Sequence, residues 1–200
     1  MTDEKRTYRK KRRAELEEQT RRRITESAVD LHGTVGPSRT SISAVAERAG
    51  VRRSTVYRHF PDEAALFDAC SAHWNAQNPL PDLEAWARIA DPDERLRVAL
   101  DQIYAYYRGT EPMLSNLHRD EATVPTVQER FARFHGFREA ARETLLRGRT
   151  ERGGARRRVR AALGHALAFT TWRSLTGEQG LDESQAADLM RALVTAPGSG

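Results

Sequence analysis

Between Arg52 and His59 the chain places seven side chains that can touch a polyanion or a base edge: Arg52, Arg53, Ser54, Thr55, Tyr57, Arg58 and His59. No carboxylate interrupts them. A guanidinium fork fits a phosphate, or the O6/N7 edge of guanine, with two parallel hydrogen bonds. Hydroxyls serve phosphate oxygens, and Thr40 and Ser41 supply two more just upstream. The chemistry on offer is binding. Catalytic patterns are absent from the sequence: there is no HExxH, no GxSxG, no Walker loop and no dinucleotide fingerprint. The six histidines lie far apart, and His118 with Asp120 and Glu121 is the nearest approach to a ligand group. We therefore expect no enzyme, no cofactor and no metal site. Arg152 and Arg156 to Arg158 beside Gly153-Gly154 read as a solvated loop and helix start.

These side chains need a scaffold. Ile42, Val45 and Ala46 recur at helical spacing, so Ser41 to Arg48 predicts a short amphipathic helix. Gly50 supplies a turn residue that tolerates positive φ. A second helix, about Arg53 to His59, puts Val56 and Phe60 on one face, four residues apart, and the basic residues on the other. Two short helices joined by a glycine turn, the second one basic, form the pattern of a DNA-reading helix-turn-helix.

Charge distribution agrees. Residues 1–60 hold 15 Lys/Arg against 8 Asp/Glu, while residues 61–200 hold 18 against 20. The basic excess is wholly N-terminal, which suits a polyanion partner for that part and a different task for the rest. A membrane surface would also attract the basic arm at residues 1–13, but no apolar face accompanies it. Two readings of that arm stay open: a solvated tail, or a segment lying along DNA. A single cysteine, Cys70, excludes an intramolecular disulfide and reads as a buried, inert thiol. No signal peptide opens the sequence and no long apolar run occurs, so a cytoplasmic location is expected.

Along the chain, residues 14–32 predict a helix that could start as early as Thr7, with Leu16, Ile24, Ala28 and Leu31 on its apolar side. A fourth helix follows Pro61-Asp62 to about Trp74 or Gln77. Asn78-Pro79-Leu80-Pro81 is the break in composition and marks a boundary between residues 14–77 and 78–195. Further helices are expected over Asp82 to Ala90, from Asp91-Pro92 to a stop at Gly109, and over Glu111 to Asp120. Three more should cover Val124-Pro125 to Leu146, Ala155 to Leu175, and Asp182 to Val194. Residues 196–200 read as a disordered tail. Nothing alternates like a strand, so the fold class is all-α with about nine helices.

One run is specific enough to resemble a family. Thr40-Ser41-Ile42, Ala46, Ala49-Gly50-Val51, Thr55-Val56-Tyr57-Arg58-His59-Phe60 and Pro61 resemble the TetR family of bacterial repressors, with continuous spacing from Ile24 to about Phe67. Two positions depart: Ser54 stands where a glycine is common, and Glu63 stands where the family usually has a phosphate-contacting lysine. The resemblance implies a three-helix DNA-binding domain followed by a helical domain for ligand binding and dimerisation. It implies a homodimer formed by the C-terminal helices, here Ala155 to Leu175 and Asp182 to Val194. It also implies a pocket for a small, mostly apolar inducer, with Trp86, Ile103, Tyr107, Met113, Leu117, Phe134, Phe169 and Thr170 as candidate walls. Tyr104, Tyr106 and Tyr107 read as lying on different helix faces, so that one borders a cavity or an interface. The leading expectation is a repressor of a pseudo-palindromic double-stranded operator. Its rivals are a DNA-binding regulator whose second domain only dimerises, and a helical enzyme or carrier with a fortuitous basic head.

Overall fold

The computed structural model describes residues 3–196, with side chains described over residues 6–196. Ten α-helices and no strand occur among the described residues. The chain divides into two units. One holds the chain up to Gln77 together with Ser115–Gln128; the other holds Asn78–Leu114 and the chain from Glu129 onward.

In the first unit, α1 runs from Asp3 to Thr34. Its N-terminal part is rich in Arg, Lys, Glu and Gln, which keep their rotamer freedom in a helix. Ion pairs one turn apart support it, Arg13 to Glu17 at 3.0 Å and Arg22 to Glu26 at 2.8 Å. The expected separation of a basic arm from a helix starting near residue 14 is therefore replaced by one helix. Leu16, expected on the apolar side, is 55% exposed, because the core begins only at Ile24. Gly36, at φ 94°, and the 3-10 turn Pro37–Arg39 end α1 and redirect the chain.

Then α2 covers Ile42–Arg48, and Ser41 caps it by accepting the Ala44 N–H at 3.1 Å. Gly50 lies at φ 63°. Around it the Val51 N–H reaches Ala46 O at 2.9 Å and the Gly50 N–H reaches Glu47 O at 3.0 Å, the paired bonds of a Schellman turn. Helix α3 is Arg53–His59, and α4 is Glu63–Gln77, capped by Asp62 on the Ala65 N–H at 2.7 Å. Ile24, Ala28, Ile42, Val45, Ala46, Ala49, Val56, Phe60, Leu66 and Cys70 form one core. Each large apolar side chain in it contributes about 1.5–3 kcal/mol of burial. Burial pushes the Cys70 thiol up to about 12, which keeps it protonated.

The second unit begins with α5, Leu83–Ala87. Helix α6, Pro92–Asp120, contributes to both units, as does α7, Pro125–Leu146. Helix α8 covers Gly153–Ala166 and α9 covers Phe169–Arg173, which runs into a π-helical turn, Ser174–Glu178. Helix α10, Glu183–Thr195, starts at a capping box of Asp182 and Gln185. Of the tail expected at 196–200, residues 197–200 lie outside the described residues.

Three expected boundaries shift, each for a visible reason. The stop at Gly109 does not occur, and α6 passes through Gly109 and Pro112. Pro112 and Arg108, whose carbonyl it leaves without an N–H partner, are both exposed residues, while buried Tyr107, Met113 and Leu114 hold the turns on either side. The helix expected over Ala155 to Leu175 breaks at Ala168, whose backbone is extended. There the Tyr104 hydroxyl donates to Ala166 O at 3.0 Å and the Tyr107 hydroxyl to Leu167 O at 2.6 Å. The helix expected over Asp82 to Ala90 ends at Ala87. Arg95, 4% exposed, donates to Ile89 O and Ala90 O there, and to Thr144 O and Arg147 O at the end of α7. Carbonyls of the loop after α5 and of the last turn of α7 thus solvate a buried guanidinium.

Candidate nucleic-acid interface

Helix α3 is held by its apolar side and offers the other. Val56 and Phe60 are 0% and 1% exposed. Arg52, Arg53, Ser54, Tyr57 and Arg58 are exposed, and Thr55 and His59 are half-buried. Seven donors expected from the residue types therefore share one short helix and its N-cap, with four arginine or tyrosine side chains in the open. Arg53 donates to the Tyr57 hydroxyl at 3.2 Å and sits 5.5 Å from its ring centroid. That contact orients the guanidinium before any ligand arrives.

A clamp from α1 supports the far end of α3. Arg21 donates to His59 O at 2.8 Å and lies 4.3 Å over the Phe60 ring. Nothing in the spacing of α1 singled out Arg21, because its role depends on which helix end it meets. Burial, then the charges of Arg58 and Arg21, hold His59 below its ordinary value, so its ring is neutral near pH 7. Its Nε2 is buried and has no hydrogen-bond partner among the described residues.

Thr40 and Ser41 sit at the entry to α2. The Thr40 hydroxyl donates to Gly36 O at 2.8 Å, and Ser41 acts as the cap already described. Both are thus committed to shaping the turn. Ser41 is exposed and keeps its hydroxyl proton for an outside acceptor.

The turn leading to them is gripped by the last turns of α6, within the same unit. Asn116 Nδ2 donates to His32 O at 3.0 Å and to Gly33 O at 2.9 Å. Arg119 donates to Val35 O at 2.9 Å and to both Asp120 oxygens. Asp120 accepts the Ser38 N–H at 2.9 Å. Burial raises the proton affinity of Asp120, but Arg119 and Ser38 outweigh it and hold the carboxyl below its ordinary value. The sequence marked Asp120 only as a poor metal candidate; its partner Ser38 lies 82 residues away in sequence, and Val35 lies 84 residues from its donor Arg119, beyond any local pattern.

In the second unit, six of the eight candidate pocket walls are buried there: Trp86, Ile103, Tyr107, Met113, Phe134 and Phe169. Thr170 is exposed, and Leu117 belongs to the first unit. Tyr107 touches Tyr104, Tyr106, Phe134, Phe169 and Trp172, with ring centroids 5.4–6.3 Å apart. Tyr104 and Tyr107 share one face, three residues apart and stacked, so only Tyr106 points elsewhere. Burial raises both phenols above their usual range.

A short, glycine-turned helix pair that presents a basic second helix defines a DNA-reading head. Residues 24–70 match the model of the bacterial regulatory proteins of the tetR family. The helix-turn-helix of this chain is that of the TetR family. Over 88% of its length the chain shares the fold of solved regulators. A TetR-like transcriptional regulator from Rhodococcus sp. RHA1 is similar at 21% identity, covering 88% of this chain and 93% of that one, with TM-score 0.63. A tetR-family transcriptional regulator from Streptomyces coelicolor is similar at 22% identity, covering 88% and 78%, with TM-score 0.56. The regulator FadR from Bacillus subtilis, solved with stearoyl-CoA, is similar at 17% identity, covering 88% and 98%, with TM-score 0.59. No curated protein matches the chain in sequence. Among the described residues no helix is long and apolar enough to cross a membrane.

Proposed function

We propose that this TetR-type regulator is a cytoplasmic homodimeric repressor of a pseudo-palindromic operator, released by a small, mostly apolar ligand. The observation that carries the reading is α3 itself, whose apolar side is locked by Val56 and Phe60 while Arg52, Arg53, Tyr57 and Arg58 stand exposed. Arg53 and Arg58 read base edges, with Thr55 and His59 beside them; Ser41, Arg52, Ser54 and Tyr57 position the head on phosphates, and Thr40 holds the turn that presents Ser41. Two-fold symmetry of an operator calls for two heads. The dimer forms through α8 and α10, the C-terminal helices of the second unit.

The ligand enters among Trp86, Ile103, Tyr107, Met113, Phe134 and Phe169. A fatty acyl chain suits such walls, and the stearoyl-CoA bound to FadR supports that class. The five rings around Tyr107 favour a second reading, in which this unit only dimerises. Selection of bound sequences from random DNA by the purified chain tests the function. An inverted repeat whose affinity falls on addition of a long-chain acyl-CoA is expected. An unselective pool would end the operator reading, and ligand-independent affinity for a selected repeat would leave the second reading in place.

A further inference from the structure

In the N-terminal turns of α1, residues 6–19 are all exposed. Yet this stretch is not charged evenly around the helix. Eighteen residues separate Arg6 from Ile24, Arg9 from Ser27, Lys10 from Ala28 and Arg13 from Leu31. That is about five turns, or about 27 Å, so each basic residue lies directly above its counterpart on the same face. The lower set faces the core: Ile24, Ser27 and Ala28 are buried, and Leu31 packs against it. Arg21, on the edge of this face, is the residue that touches the C-terminal end of α3. The face of α1 that seats the helix-turn-helix therefore continues outward as a four-residue basic stripe. Lys11, Arg12 and Tyr8 point to other sides of the helix.

We propose that this stripe is a second DNA-contacting surface, a helix that lays Arg6, Arg9, Lys10 and Arg13 against backbone phosphates flanking the groove occupied by α3. The inference rests on the DNA-binding reading above. The stripe begins about 12 Å along α1 from Arg21 and extends about 10 Å further, the scale of a groove width. Arg13 is paired with Glu17, but its side chain is 83% exposed and such a pair yields readily to phosphate. DNA is favoured over a membrane surface because no continuous apolar face accompanies the charges; Tyr8 and Leu16 are isolated.

The test uses the full chain and its selected operator across a salt series. R6A/K10A and K11A/R12A remove equal charge from different faces, and Ala14→Pro keeps every charge while breaking the helix beyond the core. Each lost phosphate contact lowers the slope of log affinity against log salt by about 0.9. Two contacts in each of two subunits predict a loss of about 3.6 units for R6A/K10A, and less than one for K11A/R12A. Ala14→Pro takes all four stripe residues out of register and should lose at least as much slope as R6A/K10A. Equal losses from the two double variants would mean charge without register, and would overturn the proposal. So would an unaltered slope in Ala14→Pro. Capture on anionic vesicles through the same face, with operator slopes unchanged, would reassign it to lipid. A full chain that binds no DNA at low salt sinks both this inference and the reading beneath it, whereas selective binding with superimposable slopes sinks only this one.

Discussion

Arg53 and Arg58 carry equal charge on one short helix but differ in freedom. Arg53 is steered by Tyr57, whereas among the described residues no such ring orients Arg58. Replacing Arg58 with Ala should cost about 1–3 kcal/mol against the preferred base and flatten selectivity there. Competition between operator and random duplex reads this out, and a uniform loss on both would place Arg58 on phosphate. Tyr57→Phe should weaken binding less, by loosening Arg53. His32 makes a separate, pH-dependent prediction. It is 8% exposed and its ring lies 5.2 Å from Phe67. Burial, against the opposing charge of Asp120, lowers its value from 6.5 to about 4. The unfolded chain therefore binds the proton more readily between those values, and stability is present above 6.5 and is lost as pH falls toward 4. At pH 5 the loss from this group is about 2 kcal/mol by linkage. His32→Phe should make the acid limb shallower by that amount in urea titrations at pH 7 and 5. An unchanged difference between the two pH values would show that His32 titrates normally.

At the scale of elements, the turn Gly36–Arg39 and the start of α4 are the sensitive places. Gly36 lies at φ 94° and ψ 158°, a region essentially reserved for glycine. A Cβ there would also stand 2.0 Å from an Arg119 nitrogen and 2.8 Å from an Asp120 oxygen. The arginine end can swing away, but the backbone strain cannot be avoided. Gly36→Ala should destabilise the first unit by about 1–3 kcal/mol and weaken operator binding, because the same turn delivers Thr40 and Ser41. Wild-type stability in that variant would mean the turn is free to readjust. Glu63 occupies the first turn of α4, where the helix dipole favours a carboxylate by about 0.3–1 kcal/mol. Glu63→Lys should give up that term and tighten DNA binding at low salt. Binding that does not rise would mean this helix end stays away from the backbone.

For the molecule as a whole, the outward side of α10 is the exposed apolar feature that a dimer would use. Leu189 and Leu193, one turn apart, are 47% and 46% exposed, while Ala186, Ala187, Met190 and Val194 are buried on the inward side. On α8 the small residue Ala161 is exposed and permits close approach of a second helix, whereas Gly164 is covered by the Arg142 side chain of α7. L189E/L193E should convert a dimer to monomer in sedimentation velocity and reduce operator affinity, with the helical signal kept. A dimer that survives both substitutions would place the interface on another face.

The reading head was legible in the residues because its determinants are local. Helical spacing, the Gly50 turn and the one-sided basic charge of α3 all lie within twenty residues, Ser41 to Phe60. The all-α character follows from the same short-range periodicity. The sequence left two readings of the N-terminal arm, and it left the pocket walls as an expectation of resemblance. Only tertiary contacts could show that Gly109 and Pro112 fall inside one helix, held by buried residues on both sides, or that α8 ends where two tyrosines from α6 take its carbonyls. Arg95, Arg21 and the Asn116–Arg119–Asp120 group belong to the same class: each satisfies backbone groups that are local in space and remote in sequence. Periodicity reports which side of a helix is apolar, but not which helix end it will meet. That choice is made when buried carbonyls must find donors wherever the folded chain brings them.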